Sequence, residues 1–231
     1  MAPRFSWFLF PLLALLFCHG AAFAAETLQK TDIKTLQNIA KMECLKKYKG
    51  KQHAVLYLTG KELKDLKCHQ IAYYDARNVS ANCNIAPVFN VTLRGSNETF
   101  KHSEWQLIYT ALRPMLQEWQ ANNSVDLANP ECPKSLYLYS YLAPDYALHR
   151  KKLGRTCTHA IVTGILNILY EKGCNNKTRI VVGFSKVNRV YLAEACDGYK
   201  LMKQNNIKEY HLESTDKHKK LICNGVIPNA G

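Results

Sequence analysis

Short apolar segments alternate with longer amphipathic segments along most of the chain. Runs of aliphatic, β-branched and aromatic residues between turn-forming residues predict strands, and residues 135–142 (SLYLYSYL) are the clearest case. On this pattern we predict strands at residues 53–59, 85–94, 135–142, 178–185 and 208–212. Residues 60–83 are polar and are predicted to be irregular.

Apolar residues that recur every three or four positions predict helices. Ile33, Leu36, Ile39 and Ala40 have this spacing in the first one, and we expect Pro114 to kink the second or end it early. Three of the predicted helices cover residues 31–48, 157–171 and 188–203. The second helix along the chain is predicted to begin between residues 99 and 102 and to end at about residue 120. Strands alternating with helices imply an α/β fold, with a sheet that helices cover and some parallel pairing. No linker divides the chain, so we expect one domain.

The N-terminus has the pattern of a secretory signal peptide. Arg4 supplies a positive charge, an apolar run follows it to residue 18, and residues 22–24 (AFA) form a small-residue cleavage site. We therefore expect residues 1–24 to be removed and residues 25–231 to form one secreted, extracellular domain. Because no later segment has 18 uninterrupted apolar residues, we expect no membrane anchor.

Sequons and cysteines agree with export. The N-x-[ST] sequons, which we predict to be glycosylated, are at Asn78, Asn90, Asn97, Asn122 and Asn176. One of the nine cysteines, Cys18, leaves with the signal segment. The other eight are Cys44, Cys68, Cys83, Cys132, Cys157, Cys174, Cys196 and Cys223. An even number of cysteines in an oxidising compartment predicts disulfides, and the sequence leaves their pairing open.

Composition and charge narrow the possible partners. The chain is 47% hydrophobic, which excludes a disordered or collagen-like protein. Its 31 Lys and Arg residues exceed its 18 Asp and Glu residues, giving a formal charge of +13. Such a surplus favours a polyanionic partner, such as nucleic acid, a heparin-like glycan or an anionic membrane surface.

Metal-binding and proton-transferring residue types stand at the predicted starts of two helices. His102 and Glu104 form an H-x-E motif at the start of the second helix, and Cys157 begins the third. Two helix N-termini at one sheet edge direct their dipoles to a common point, which suits a thiolate or a metal-bound hydroxide. Hydrolysis by zinc needs about three protein ligands, an open position for water and a carboxylate that transfers protons.

The element order resembles that of the zinc-dependent nucleobase deaminases, whose signature is H-x-E followed by P-C-x-x-C. With its signal peptide and extra cysteines, the chain is most similar to the secreted AID/APOBEC-like deaminases, over roughly residues 50–213. The resemblance implies a three-layer α/β/α cytidine-deaminase-like fold, with a mixed central sheet of about five strands flanked by helices. It also implies one Zn²⁺ ion per chain with His102 as a ligand, Glu104 as general acid and base, and a role in extracellular defence.

The chain departs from the family signature at the cysteine motif. Asp145 stands where the family has its first cysteine, and residues 146–156 separate it from Cys157. Cys157 can still take the second thiolate position, with Asp145, His149 or His159 as a further ligand, since zinc also accepts carboxylates. A structural disulfide is the alternative role of Cys157, because eight cysteines make four bridges whereas one zinc thiolate leaves an odd number.

Aromatic and basic residues are predicted to contact the substrate. Tyr141 and Phe184 lie on strands that approach the pocket in such a fold, and nucleobases stack on aromatic rings. Lys186 and Arg189 lie where the family has a substrate-contacting loop. We therefore predict a deaminase that acts on cytosine in single-stranded nucleic acid or nucleotide. The alternatives are a deaminase-fold binding protein with a degenerate pocket and a basic glycoprotein that binds glycans or nucleic acid.

Overall fold

The computed structural model describes most of the chain between residues 28 and 212. The described ranges are residues 28–48, 53–59, 72–75, 103–126, 128–144, 156–187, 192–212 and 223. The predicted signal peptide and the predicted strand at residues 85–94 lie outside these ranges. No helix within them is both long and apolar enough to cross a membrane.

Helices and strands alternate through the described ranges. Helix α1 spans residues 28–40, and a 3₁₀ helix follows at Glu43–Tyr48. The strands are β1 (His53–Leu58), β2 (Ala72–Asp75), β3 (Ser135–Leu142), β4 (Arg179–Lys186) and β5 (Lys208–His211). The other helices are α2 (Ser103–Gln106), α3 (Leu112–Asn123), α4 (Cys157–His159), α5 (Leu166–Glu171) and α6 (Leu192–Gln204). The π-helical turns Leu107–Ala111 and Ala160–Ile165 join α2 to α3 and α4 to α5.

The strands form one mixed sheet in the order β2-β1-β3-β4-β5. Strand β1 is antiparallel to both of its neighbours, whereas β3, β4 and β5 run parallel. Parallel neighbours need crossover connections, which the helices between β3, β4 and β5 supply. The carboxyl ends of these three strands therefore lie along one edge of the sheet, where open α/β sheets place their sites.

Apolar side chains cover both faces of the sheet. One core joins alternate strand residues to the helices after β2 and contains Leu56, Leu138, Val182, Leu112, Ile165 and Met202, among others. The other lies beneath α1 and contains Leu36, Ile39, Val55, Tyr137, Tyr139, Val181 and Tyr210. Since neighbouring strand residues point to opposite faces, helices flank the sheet on both sides. The predicted α/β fold, a mixed sheet flanked by helices, is confirmed.

A buried carboxylate fixes α1 to the sheet. Asp32 accepts hydrogen bonds from the hydroxyls of Tyr137 (2.9 Å) and Tyr210 (3.5 Å) and forms an ion pair with Arg179. Burial, together with the negative charge of Asp32, raises the pKa of Tyr210 to about 12. The phenol therefore stays protonated and continues to donate to the carboxylate.

Helix α1 is shorter than the predicted helix at residues 31–48. Leu45 lies in the 3₁₀ helix that follows and is buried in the same core as Leu36, so the apolar pattern extends past the end of the α-helix.

Helix α1 lies close against the sheet. A Cβ atom on Gly183 would come within 2.7 Å of Leu36 Cδ1, so any larger residue at this point would force the Leu36 side chain to move.

Strand β2 corrects the prediction that residues 60–83 are irregular throughout. Its four residues pair antiparallel with β1, from His53↔Asp75 to Leu56↔Ala72. The strand is only four residues long (AYYD), with Ile71 before it and Ala76 after it, within a longer stretch rich in charged and polar residues. So short an apolar run does not specify a strand by itself, and pairing with the buried strand β1 fixes its conformation.

The helical segment from Ser103 continues through Pro114 and ends at Asn123, beyond the predicted end at residue 120. A proline inside a helix cannot donate a hydrogen bond, and its ring crowds the carbonyl four residues earlier. The π-helical turn Leu107–Ala111 comes directly before α3 and changes this hydrogen-bond spacing. The helix thus passes the proline, and the prediction of an early end was wrong.

Candidate active site

Two helices place their first turns together near the carboxyl end of β3. The N-cap residue of α4, Thr156, accepts a hydrogen bond from the backbone N–H of His159 at 3.2 Å. The hydroxyl of Thr158 donates to the carbonyl of Pro144 at 3.5 Å. These bonds tie the start of α4 to the chain that leaves β3 and set the position of Cys157.

The carboxylate of Glu104 lies where the two helices meet. Its Oε1 accepts a hydrogen bond from Ser140 Oγ at 2.5 Å. Its Oε2 accepts one from Ser103 Oγ at 3.1 Å and one from Cys157 Sγ at 3.4 Å. Glu104 and Cys157 are each 1% exposed, so these donors replace the water that a carboxylate loses on burial. Two residues 53 positions apart thus form one buried carboxylate–thiol pair.

Close packing of the two π-helical turns fixes this arrangement. A Cβ atom on Gly164 would lie 3.0 Å from Ile108 Cγ2 and 3.0 Å from the hydroxyl oxygen of Tyr109. The ring of Tyr109 in turn packs on Trp105, with ring centroids 4.6 Å apart. The side chains of Ile108 and Tyr109 thus pack directly on the second π-helical turn at Gly164, where a larger residue would force them to move.

The structure brings together Glu104 and Cys157 from the predicted catalytic and metal-binding residues. His102 and Asp145 lie outside the described residues, and so does the alternative ligand His149. Cys157 is a buried thiol and not half of a structural disulfide. That alternative role, which the number of cysteines had favoured, is wrong.

Tyr141 lies on the other face of the sheet from Glu104. It follows Ser140 in β3, and neighbouring strand residues point in opposite directions. The ring of Tyr141 stacks on His53, with centroids 5.5 Å apart, and Lys186 Nζ lies 5.4 Å from its centre. The exposed Lys186 therefore lies near Tyr141 at the end of β4. The structure does not place these two predicted substrate contacts beside the carboxylate–thiol pair.

Phe184 shares the sheet face of the candidate site, but its ring is covered. It is the β4 neighbour of Ser140 and is 1% exposed. Its ring stacks on His211 of β5, with centroids 4.9 Å apart. Arg189, the fourth predicted substrate contact, lies outside the described residues.

Two disulfides are formed by other cysteines than Cys157. Cys132 is bonded to Cys174, and Cys196 is bonded to Cys223. The predicted presence of disulfide bonds is confirmed. The remaining candidates are Cys44, in the 3₁₀ helix, and Cys68 and Cys83, which lie outside the described residues.

Two of the predicted glycosylation sites lie on the described surface. Asn122 is exposed in the last turn of α3, and Asn176 is exposed in the turn before β4. Asn176 has a left-handed backbone with φ of 60°, a conformation that asparagine tolerates better than most residues. Asn78, Asn90 and Asn97 lie outside the described residues.

Sequence analysis missed the two serines that bind Glu104. Ser103 is the middle residue of the H-x-E motif, and Ser140 is one polar residue in an aromatic strand. Strand alternation gives the face on which Ser140 lies, but it does not identify the partner of its hydroxyl.

Another buried carboxyl group lies on β5. Glu209 is 4% exposed, and its Oε2 has no hydrogen-bond partner among the residues that the structure describes. Burial raises the pKa of Glu209 to about 8, so its carboxyl is largely protonated at neutral pH. The same residue raises the pKa of Tyr199 on α6, in addition to the effect of burial on that phenol.

The described donors fit part of a zinc site. A thiol is a preferred zinc ligand, and a carboxylate in contact with it matches the separate proton-transferring group of zinc hydrolysis. Within the part of the chain that the structure describes, no three His, Cys, Asp or Glu residues form a group that could hold a metal. Two of the three predicted zinc ligands, His102 and Asp145, lie outside that part.

Comparisons with family models, with curated proteins and with solved structures found no match.

Proposed function

We propose that this protein is a secreted, zinc-dependent deaminase that acts on cytosine in nucleic acid or nucleotide. The contact between Glu104 and Cys157 carries the proposal, because it joins the carboxylate of the H-x-E motif to the thiol that begins the following helix. Both groups are buried at a helix start, where a proton-transferring acid and a metal ligand must lie close together.

The element order supports a cytidine-deaminase-like fold. The structure has two strands, the helix that follows the H-x-E histidine, the central strand, a proline, the cysteine helix, a strand, a helix and a last strand. This order agrees with the one that the resemblance implies. The mixed sheet and the helices on both faces support it further.

Zinc, when bound, would supply a water molecule that is activated at neutral pH. Cys157 would hold the metal together with His102 and Asp145, each through a side chain of a type that zinc accepts. The open position would take water, and the carboxylate of Glu104 stays outside the ligand set.

Glu104 moves the protons of the reaction. Its carboxylate accepts a proton from the attacking water and delivers it to N3 of the cytosine ring. It then accepts the second proton from the oxygen that has bonded to C4 and transfers this proton to the departing amino group. Oxygen from water bonds to C4, the C4–N bond breaks, and the products are uracil and ammonia. Burial favours this role because no bulk water competes for the transferred proton.

The partner and the location belong to the same proposal. The positive charge of the chain suits single-stranded nucleic acid or nucleotide, with Arg189 as a contact to its phosphates. Extracellular defence is the setting that the family resemblance implies.

Metal analysis and a deamination assay on the secreted protein test the proposal. We expect about one zinc ion per chain and conversion of cytosine to uracil in single-stranded DNA, RNA or cytidine nucleotides. Glu104→Gln should keep the zinc and lower kcat by about 100-fold or more, because it removes general acid–base catalysis. Cys157→Ser should lose both zinc and activity.

Glu171→Gln is the matched control, because that carboxylate is half-exposed and pairs with Arg113 far along the helix from the site. It should leave zinc content and kcat unchanged. Absence of uracil from every substrate would contradict the deaminase. Zinc-free, inactive protein that still binds single-stranded nucleic acid would support the degenerate binding protein instead.

A further inference from the structure

The buried carboxylate of Glu104 is held from the sheet as well as from the helices. We propose that Ser140 is a positioning residue that fixes the orientation of this carboxylate for proton transfer. The proposal rests on the deaminase function proposed above. Its central observation is the hydrogen bond from Ser140 Oγ to Glu104 Oε1, which is 2.5 Å long and fully buried.

The backbone of Ser140 is restrained on both sides. Its strand, β3, lies between two others, and Ser140 is paired in register with Ala54 of β1 and Phe184 of β4. A serine hydroxyl has one side-chain torsion between it and the backbone, so the sheet largely determines where the oxygen lies. The side chain of Glu104 has three torsions and therefore needs an external support.

The two oxygens of Glu104 have different partners. Oε1 binds the strand through Ser140, whereas Oε2 faces the helix starts through Ser103 and Cys157. Holding Oε1 to the sheet thus directs Oε2 toward the thiol of the second helix. One oxygen supports the group, and the other is the one placed for proton transfer beside the metal ligand.

Loss of the Ser140 hydroxyl would remove the hydrogen bond that ties Oε1 to the sheet. The last torsion of a glutamate side chain is broad, so the carboxylate could rotate and turn Oε2 away from Cys157. Water does not replace the donor easily at a site where Ser140 is 0% exposed. Since proton transfer depends on hydrogen-bond geometry, this rotation lowers kcat more than it lowers substrate binding.

Ser140→Ala and Ser185→Ala form a matched pair for the test. Ser185 is also a buried strand serine, and its hydroxyl forms a hydrogen bond of 2.8 Å with the hydroxyl of Tyr139. That bond lies on the opposite face of the sheet from Glu104. Both variants lose one buried hydroxyl, so a general loss of stability affects them alike. Ser140→Cys, which keeps the shape and offers a weaker donor, serves as a second variant should the alanine variant fold poorly.

The measurements are kcat, KM, zinc content and the infrared carboxylate band of Glu104, which subtraction of the Glu104→Gln spectrum identifies. For Ser140→Ala we expect kcat to fall by about 10- to 100-fold, with KM within about twofold and zinc content unchanged. The antisymmetric carboxylate band should move to higher frequency, because the carboxylate loses a strong donor. Ser140→Cys should give an intermediate kcat, and Ser185→Ala should leave kcat and the band unchanged.

Two kinds of result overturn the proposal in distinguishable ways. If the parent protein is active but Ser140→Ala keeps its kcat and its band, or Ser185→Ala loses as much activity, only the positioning role of Ser140 is wrong. If the parent protein deaminates no cytosine substrate, the proposed function fails, and the positioning role fails with it.

Discussion

Replacing Glu209 with glutamine should remove a large pH dependence from the stability of this protein. The carboxyl group is buried on β5, its Oε2 lacks a hydrogen-bond partner within the described ranges, and burial raises its pKa from 4.5 to about 8. Between these two values the folded protein keeps a proton that the unfolded chain has released. Stability from this group is therefore complete below pH 4.5 and declines as the pH rises to about 8.

The size of the effect follows from the difference of 8 − 4.5, or about 3.5 units. Each unit corresponds to about 1.4 kcal/mol, so the free energy of unfolding should fall by about 1.4 kcal/mol per pH unit and by about 5 kcal/mol in all. Glutamine does not titrate. The difference in the free energy of unfolding between the parent protein and Glu209→Gln should thus change steadily across this pH range. Any effect of the substitution on packing adds a constant that does not depend on pH.

Urea unfolding at pH 5, 6, 7 and 8, with disulfides intact, measures this difference. Glu171→Gln is again the control, because its half-exposed carboxylate pairs with Arg113 and should add little slope. The reasoning is refuted if the curves of the parent protein and Glu209→Gln run parallel over this range, since the carboxyl would then titrate alike in the folded and unfolded states.

Three further predictions concern the helices and the cysteines. Asp32→Asn should lower the free energy of unfolding by about 3 kcal/mol, because it leaves the partly buried guanidinium of Arg179 without its counter-charge. Asp197→Asn, at the exposed ion pair with Lys200, should lower it by less than about 1 kcal/mol. Urea unfolding of both variants measures the difference. Gly164→Ala should lower the melting temperature, because the added Cβ would lie too close to the Tyr109 hydroxyl. Adding Tyr109→Phe removes that hydroxyl and should restore part of the lost melting temperature. An unchanged melting temperature in Gly164→Ala would contradict the close contact. Residues 25–231 contain eight cysteines, of which the two described disulfides take four, and Cys157 is a thiol. Since the other three cannot all pair with one another, a denatured, unreduced monomer of residues 25–231 should titrate with at least two thiols, and Cys157→Ser should remove one. A monomer with no thiol would contradict this count.

Sequence predicted the buried elements best. The aromatic and aliphatic run of β3 gave its bounds, residues 135–142, and the apolar segment at residues 157–171 gave the helical segment that begins at Cys157. Both are long and buried, so their local pattern and their tertiary surroundings favour the same structure. Strand β2 was missed because its pairing with β1, and not its own composition, decides its conformation.

The candidate site was predicted only in its motif residues. The H-x-E motif and the helix start at Cys157 indicated two groups that the fold brings together. The hydrogen bond from Ser140, the π-helical turns and the contact at Gly164 depend on distances between segments remote in sequence. Side-chain partners of this kind have no local signature in the sequence.

The folding unit is longer than the stretch of sequence that resembles a deaminase. That stretch begins near residue 50, yet Leu36 of α1 fills the space above Gly183, and Asp32 neutralises Arg179 at the start of β4. A chain shortened to begin at residue 50 would expose a whole aromatic sheet face to solvent and would self-associate through it. A recombinant protein that begins at residue 50 would therefore be insoluble. Its lack of activity would not bear on the chemistry of Glu104 and Cys157.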